Sequence, residues 1–298
     1  MTVQDITIMC LMQTAREMKL DYTFVNKFIK LVKSKGIEIS DVFREQNALP
    51  FTFAEYLSKA SKRVLISGKC LEELSARKIT VISTENSFYP PNLKKRLLEK
   101  TPPCFFAIGN VALASEPGIS VTGVRDVLAD DEKFAGRIGE LCAKEDFVVV
   151  SGGAEGVDSI AISGALKVGG KAVVYLPQGF EKSAFVRKNR RYLDSGNLLC
   201  LSLCEPAVGF IGNNALERNI YIHSHGEITV TVRAKYKSGG SWSGAVHNLE
   251  RVRTPAFVSD IPSPGNEALR KMGAGVIKRA ELLDSGFSLK QTITELQK

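Results

Sequence analysis

The sequence predicts an α/β protein in which a mostly parallel sheet, with helices on both faces, follows a small helical domain. Three observations carry this. From Cys104 onward, short apolar runs alternate with helix-patterned stretches, as in strand–helix–strand units. Several of those runs are continuously apolar, which fits strands covered on both faces. Before them, apolar residues recur at a three-to-four residue spacing, the period of a helix with one buried face.

Along the chain, Phe24, Phe28, Ile29, Leu31 and Val32 alternate with Lys27, Lys30, Lys33 and Lys35, and Gly36 supplies a stop. A second helical unit is expected from about Phe53 to Leu65 and a third across Leu71–Arg77. Ile79–Ser83 reads as a short strand, and Tyr89-Pro-Pro-Asn as a turn before a helix over Leu93–Glu99. The expected strands are then Cys104–Ile108, Ile119–Thr122, Phe147–Ser151, Ala172–Leu176, Leu198–Leu203, Glu227–Val232 and Pro255–Val258. Helices are expected at Asp131–Lys144, Ser159–Val168 and Ala215–Ser224, with a last piece at Leu289–Gln297. The expected boundaries are a helical domain over 1–80, an α/β domain over 81–285 and a tail over 286–298.

Composition narrows the classes. With 44% hydrophobic and 24% charged residues the chain matches a globular protein rather than a disordered one. No apolar stretch is long enough to span a bilayer. Asp5 and the short run Ile6–Met12 lack the basic n-region of a signal peptide, so a cytoplasmic protein is expected. The six cysteines form no C-x-x-C pair and read as small buried residues. Cys200 and Cys204 with His223 and His225 match no common zinc spacing, so no metal is expected. A formal charge of +8 suits a polyanionic partner without locating one.

The chemistry centres on Ser151-Gly-Gly-Ala-Glu-Gly-Val-Asp158, which joins the strand ending at Val150 to a helix. Strand, small-residue turn and helix present backbone N–H groups to an anion. Gly152, Gly153 and Gly156 permit sharp turning and close phosphate approach, and Asp158 is placed to cap the helix. A tight βα turn with no ligand is the alternative. A neighbouring strand leads into Gly123-Val-Arg125, which places a guanidinium beyond a strand's carboxyl end, where open α/β sheets bind ligands. Arg125 pairing with Asp126 or Asp130 is the structural alternative. Arg218-Asn219 and the small-residue loop Ser238–Ala245, beginning Ser238-Gly239, complete the candidate pocket. Lys182, Arg187, Lys188, Arg190 and Arg191 lie among Phe180, Phe185 and Tyr192, the pattern of a surface that tracks a strand and stacks its bases. The alternative there is a solvated basic helix face with its rings in the core. Arg233, Lys235 and Lys237 form a smaller basic candidate.

In this order the motifs resemble the DNA-processing protein A (DprA/Smf) family. Tyr89-Pro90, Pro102-Pro103 and Gly109 look like the lead into its Rossmann-like domain, and Gly123-Val-Arg125 is similar to its Gly-x-Arg turn. Ser151-Gly-x-Ala154-x-Gly156-Val157-Asp158 is similar to its glycine-loop signature, followed by Arg218-Asn219, Ser238-Gly239 and Gly244-Ala245. The resemblance implies a Rossmann-like core, a dimer, single-stranded DNA binding and delivery of that DNA to a RecA-type recombinase during uptake of foreign DNA. It carries Gly123, Arg125, Ser151, Gly152, Gly156, Asp158, Arg218 and Asn219 forward as phosphate or pocket residues. The chain departs from the pattern at Glu155 and Asp126, where basic or polar residues are usual, at Ile162-Ser163, and at Ile220-Tyr221 after Arg218-Asn219.

No catalytic set is visible: the three histidines have no evident nucleophile partner, and no Walker-type lysine loop occurs. A binding protein without a cofactor is therefore expected, not an enzyme. A nucleotide-binding sensor that signals to a protein partner is the alternative, favoured by Glu155 and Asp126.

Overall fold

The computed structural model describes residues 1–296, and the side chains of residues 65–71 lie outside the description. Spatial contacts divide the chain into two units, Met1–Tyr89 with Leu97–Ile108 and Pro90–Arg96 with Gly109–Lys298. No helix among the described residues is long and apolar enough to cross a membrane.

In the first unit, Thr2 and Asp5 form a capping box on the helix Val3–Glu17. Asp5 then accepts hydrogen bonds from the Ser83 N–H at 3.1 Å and the Ser83 hydroxyl at 2.7 Å, tying the first helix to the strand β1 (Ile79–Ser83). The helix Tyr22–Ser34 is capped by Asp21 and buries Val25, Phe28, Ile29 and Val32, the expected period. The second and third expected helices are one continuous helix, Ala54–Ala76. Gly68 falls inside it, and a single glycine costs about 1 kcal/mol relative to alanine, too little to stop a packed helix. Strand β2 (Cys104–Gly109) pairs antiparallel with β1, Ile79 opposite Ile108 and Ser83 opposite Cys104. The expected parallel strand at Cys104–Ile108 is thus an antiparallel one, because an apolar run carries no mark of direction. This pairing also places the expected boundary at residue 80 inside the first unit.

The second unit holds β3 (Gly118–Thr122), β4 (Val148–Ser151), β5 (Lys171–Leu176), β6 (Leu198–Ser202), β7 (Ile228–Thr231), β8 (Ala256–Ser259) and β9 (Gly275–Ile277). They pair in the order β6-β5-β4-β3-β7-β8-β9, every pair parallel. The chain winds outward from β3 to β6, then crosses back to the other side of β3 for β7 to β9. That reversal opens a crevice beyond the carboxyl ends of β3 and β7, where sheets of this type bind ligands. All five residues of β3 are buried, so both its faces are covered. On one face the Ser120 hydroxyl donates to the Ile222 carbonyl of the helix Gly212–His225. The helices Ala129–Lys144 and Val157–Lys167 pack so closely that a Cβ on Gly139 would lie 2.2 Å from the Ala161 carbonyl oxygen.

Two further differences from the sequence reading matter. The small-residue stretch Ser238–Ala245 is not a loop: the helix Gly239–His247 begins there, with Ser238 as its N-cap residue. Gly244 and Ala245 are buried in it, and tertiary packing overrides the poor intrinsic helix propensity of glycine. The three-residue edge strand β9 was not expected. The tail is docked: Leu289 is buried, and the Glu145 carboxylate accepts from the Ser288 hydroxyl and from the Leu289 and Lys290 N–H groups. Its helix is Leu289–Glu295, and Gln297 of the expected segment lies outside the described residues. Cys10, Cys104, Cys142, Cys200 and Cys204 are buried and not disulfide-bonded among the described residues, while Cys70 falls among the undescribed side chains.

Candidate functional site

Beyond the carboxyl ends of the adjacent strands β4, β3 and β7, three turns converge. The Val157 N–H donates to the Val124 carbonyl at 3.2 Å. Gly156, at φ +83°, lies so close to the backbone of Val124 and Arg125 that a Cβ would come within 2.4–2.6 Å of it. The Ser241 hydroxyl donates to the Gly123 carbonyl at 2.5 Å, and Asn219 Nδ2 donates to the Gly240 carbonyl at 3.1 Å. Between them is a cavity of about 370 Å³. Of the sequence candidates, Gly123, Arg125, Asp158, Arg218, Asn219, Ser238 and Gly239 line it. Thr122, Val124, Asp126, Ala154, Lys235, Gly240 and Ser241 line it as well. In the sequence Lys235 belongs only to the minor basic group; its place just past β7, in register with the turn after β3, is the signal that points to the cavity.

Asp158 does not cap its helix, whose N-terminus carries no side-chain cap. Its carboxylate turns back and accepts from the Gly152 N–H at 3.2 Å and the Ala154 N–H at 3.4 Å. Two of the amides expected to meet a phosphate are therefore held by the protein's own carboxylate. Arg218 lies against the same carboxylate, Nη1 to Oδ2 at 3.9 Å, and also donates to the Tyr175 carbonyl at 3.5 Å. Gly152 makes room for this guanidinium: a Cβ there would lie 1.1 Å from Arg218 Nη1. Gly153, at φ +65°, packs beneath the Phe185 ring, and the buried Ser151 hydroxyl donates to the Val121 carbonyl at 2.6 Å. Ser151, Gly152, Gly153 and Gly156 thus shape the site from behind its lining.

Burial raises the Asp158 carboxyl above its ordinary range, while Arg218 and the two amides pull it back. For Arg218, burial weakens the hold on its proton, Asp158 supports it, and the neighbouring Arg125 cation opposes it. The Arg218 Nε–H is buried and has no hydrogen-bond partner among the described residues. Asp126 is bound to Lys235 at 2.8 Å and Asp130 to Arg279, so the two carboxylates considered for Arg125 are held elsewhere. The cavity carries three cations (Arg125, Arg218, Lys235) against two carboxylates, Asp126 and Asp158. Glu155, the other acidic departure, is exposed and does not line it. At the far wall the N-terminus of the nine-residue helix Gly239–His247 faces the cavity through Gly239, Gly240 and Ser241, with no side chain capping it. Free N–H groups and the positive helix end favour an anion there.

Lys182, Arg187, Lys188, Arg190 and Arg191 are all exposed and lie outside this cavity. Arg187 donates to the Glu181 carbonyl at 3.2 Å, Arg190 pairs with Asp194 at 3.1 Å, and Arg191 covers the Tyr192 ring at 4.5 Å. Phe180 is buried and Phe185 packs on the glycine turn, so the rings of this segment serve packing more than display. Arg233 is committed to the buried Asp131 through its Nε and Nη2.

The family model of DNA recombination-mediator protein A matches residues 78–285. Protein Smf from Synechocystis sp. is 25% identical over 175 residues, which covers 57% of this chain and 43% of that protein. DNA processing protein A from Helicobacter pylori, described for its single-stranded DNA binding mode, superposes with a TM-score of 0.60 at 24% identity, over 74% of this chain and 96% of that one. DNA processing protein A from Streptococcus pneumoniae gives 0.65 at 20% identity, over 96% and 94%. At these identities the two solved structures speak for the fold.

Proposed function

The chain belongs to the DNA recombination-mediator protein A family, and from that premise we propose that it binds single-stranded DNA through backbone phosphates held beyond the carboxyl ends of β4, β3 and β7. The observation that carries this reading is Arg218: a largely buried guanidinium with an unpartnered Nε–H, beside a second arginine that repels it, on the wall of an open cavity. An anion entering that cavity satisfies the donor and relieves the repulsion. The uncapped helix end adds N–H groups, and Arg125 and Lys235 supply exposed charge at the mouth. On the family premise, the strand is passed to a RecA-type recombinase during handling of incoming DNA, by a homodimer acting in the cytoplasm.

The test is fluorescence anisotropy of a labelled oligothymidylate against a duplex of equal length, titrated with salt. Tighter single-strand binding that weakens steeply with salt is expected. No binding of the wild-type protein at low salt overturns the proposal.

One observation favours a second reading. A volume of about 370 Å³ and nearly balanced lining charge also suit a mononucleotide, whose sensor would signal to a partner protein. Thermal stabilisation by a mononucleotide but not by oligonucleotides would select it.

A further inference from the structure

Tyr236 is a large ring where neither the fold nor phosphate binding calls for one. It sits in a tight turn: Lys235 and Ser238 form a β-bridge, the Ser238 N–H donates to the Lys235 carbonyl at 3.2 Å, and Lys237 adopts φ +52°. The left-handed residue carries the chain around sharply and leaves the Tyr236 side chain 50% exposed. The ring is nonetheless held. It meets Trp242 edge-on, centroids 5.2 Å apart at 75°, and Trp242 packs on the buried cluster of Ala234, Ala245, Val258, Leu269 and Ala274. Lys237 Nζ lies 5.2 Å from the Tyr236 ring centroid. Lys235 and Ser238, on either side of it, line the anion cavity.

Resting on the phosphate-binding reading above, we propose that Tyr236 is a stacking platform for a nucleobase of the strand whose phosphates enter the cavity, with Trp242 as its rigid support. A base has a π face whatever its identity, so an anchored, half-exposed ring beside cations holds a strand without reading its sequence. Fixing the ring before binding saves the entropy of ordering it. Phosphate contacts alone would treat a strand with bases and one without them alike. Tyr236 makes them differ.

Trp242 is the chain's only tryptophan, so its fluorescence reports directly on Tyr236. Three ligands are titrated against the full chain: oligothymidylate, an abasic oligonucleotide of the same length, and thymidine monophosphate. For the wild type, oligothymidylate is expected to change Trp242 emission and to bind more tightly than the abasic strand. Tyr236→Ala is expected to weaken oligothymidylate binding roughly 5- to 150-fold, the range for losing one stacked base, and to leave abasic binding and the salt slope unchanged. Tyr236→Phe restores the wild-type affinity. Equal oligothymidylate affinity in wild type and Tyr236→Ala overturns the stacking proposal while leaving phosphate binding intact. Tyr236-dependent binding of thymidine monophosphate as tight as that of the strand overturns the assignment to a strand. Failure of the wild type to bind either oligonucleotide removes the phosphate-binding reading itself.

Discussion

Replacing Arg218 by alanine removes the guanidinium that lies 3.9 Å from Asp158, in a pair whose side chains are only 12% and 9% exposed. Opposite charges about 4 Å apart attract by about 4 kcal/mol at an effective dielectric of about 20. Removing one member of a buried pair costs about 3–5 kcal/mol, because the other is left charged and unpaired. Asp158 retains the Gly152 and Ala154 amides, so the expected loss for Arg218→Ala is near the lower end, about 3 kcal/mol at pH 7. The pH dependence has a definite sign. Burial holds the Asp158 carboxyl above its ordinary value of 3.8, so the folded chain keeps that proton to a higher pH than the unfolded chain does. Stability from this group therefore falls as pH rises from 3.8 through the folded value. Without Arg218 the folded value rises further, and the variant's deficit is largest at neutral pH and shrinks on acidification. Urea unfolding of wild type, Arg218→Ala, Asp158→Asn and the double variant at pH 7 and pH 5 measures it. The double variant is expected to recover part of the loss, since no charge is then stranded. A deficit under about 0.5 kcal/mol that does not change with pH is the behaviour of an exposed ion pair, and would refute the reasoning.

Two other perturbations follow from the same geometry. Asp126→Asn removes the negative charge that Lys235 pairs with at 2.8 Å at the cavity mouth; oligothymidylate binding is expected to tighten, with the salt slope steeper by up to about 0.7, and weaker binding would contradict it. Burial lowers the pKa of His223 to about 4 and of His225 to about 3, below the unfolded value near 6.5, so the stability they contribute is present above that value. It is lost as pH falls, by about 2 kcal/mol per histidine between pH 7 and 5; His225→Gln, measured by urea midpoints, is expected to lose that much less over this interval, and equal losses would argue against a neutral buried ring.

Much of the fold was legible because the physics is local. The strands β3 to β8 are apolar runs bounded by turns, and the Tyr22–Ser34 helix has its period and its Asp21 cap in plain view. Strand β9 was not legible, since three residues at an edge leave almost no pattern. The start of the Gly239–His247 helix was hidden by its glycines; what holds it is the fit of Gly244 against Asn219 and His223, contacts more than twenty residues distant. The site divides the same way. Placing Arg125, Arg218 and Ser238-Gly239 beside one another needed only the rule that loops gather at strand ends. That Gly152 is glycine for the sake of Arg218 depends on a side chain carried in by the crossover from β6 to β7, and no spacing along the chain encodes it; Asp158 takes the Gly152 and Ala154 amides within its own turn, a choice its position at the start of a helix leaves open.

The central claim is that phosphates are bound in the cavity between these turns, and Arg125 tests it most cleanly because it is exposed and lines the cavity. The measurement is the slope of log Kobs for oligothymidylate against log salt concentration, for wild type and Arg125→Ala. A variant that binds more weakly with a slope shallower by about 0.7, one phosphate contact on a single strand, is the predicted result. Identical affinity and slope in the two proteins would contradict it.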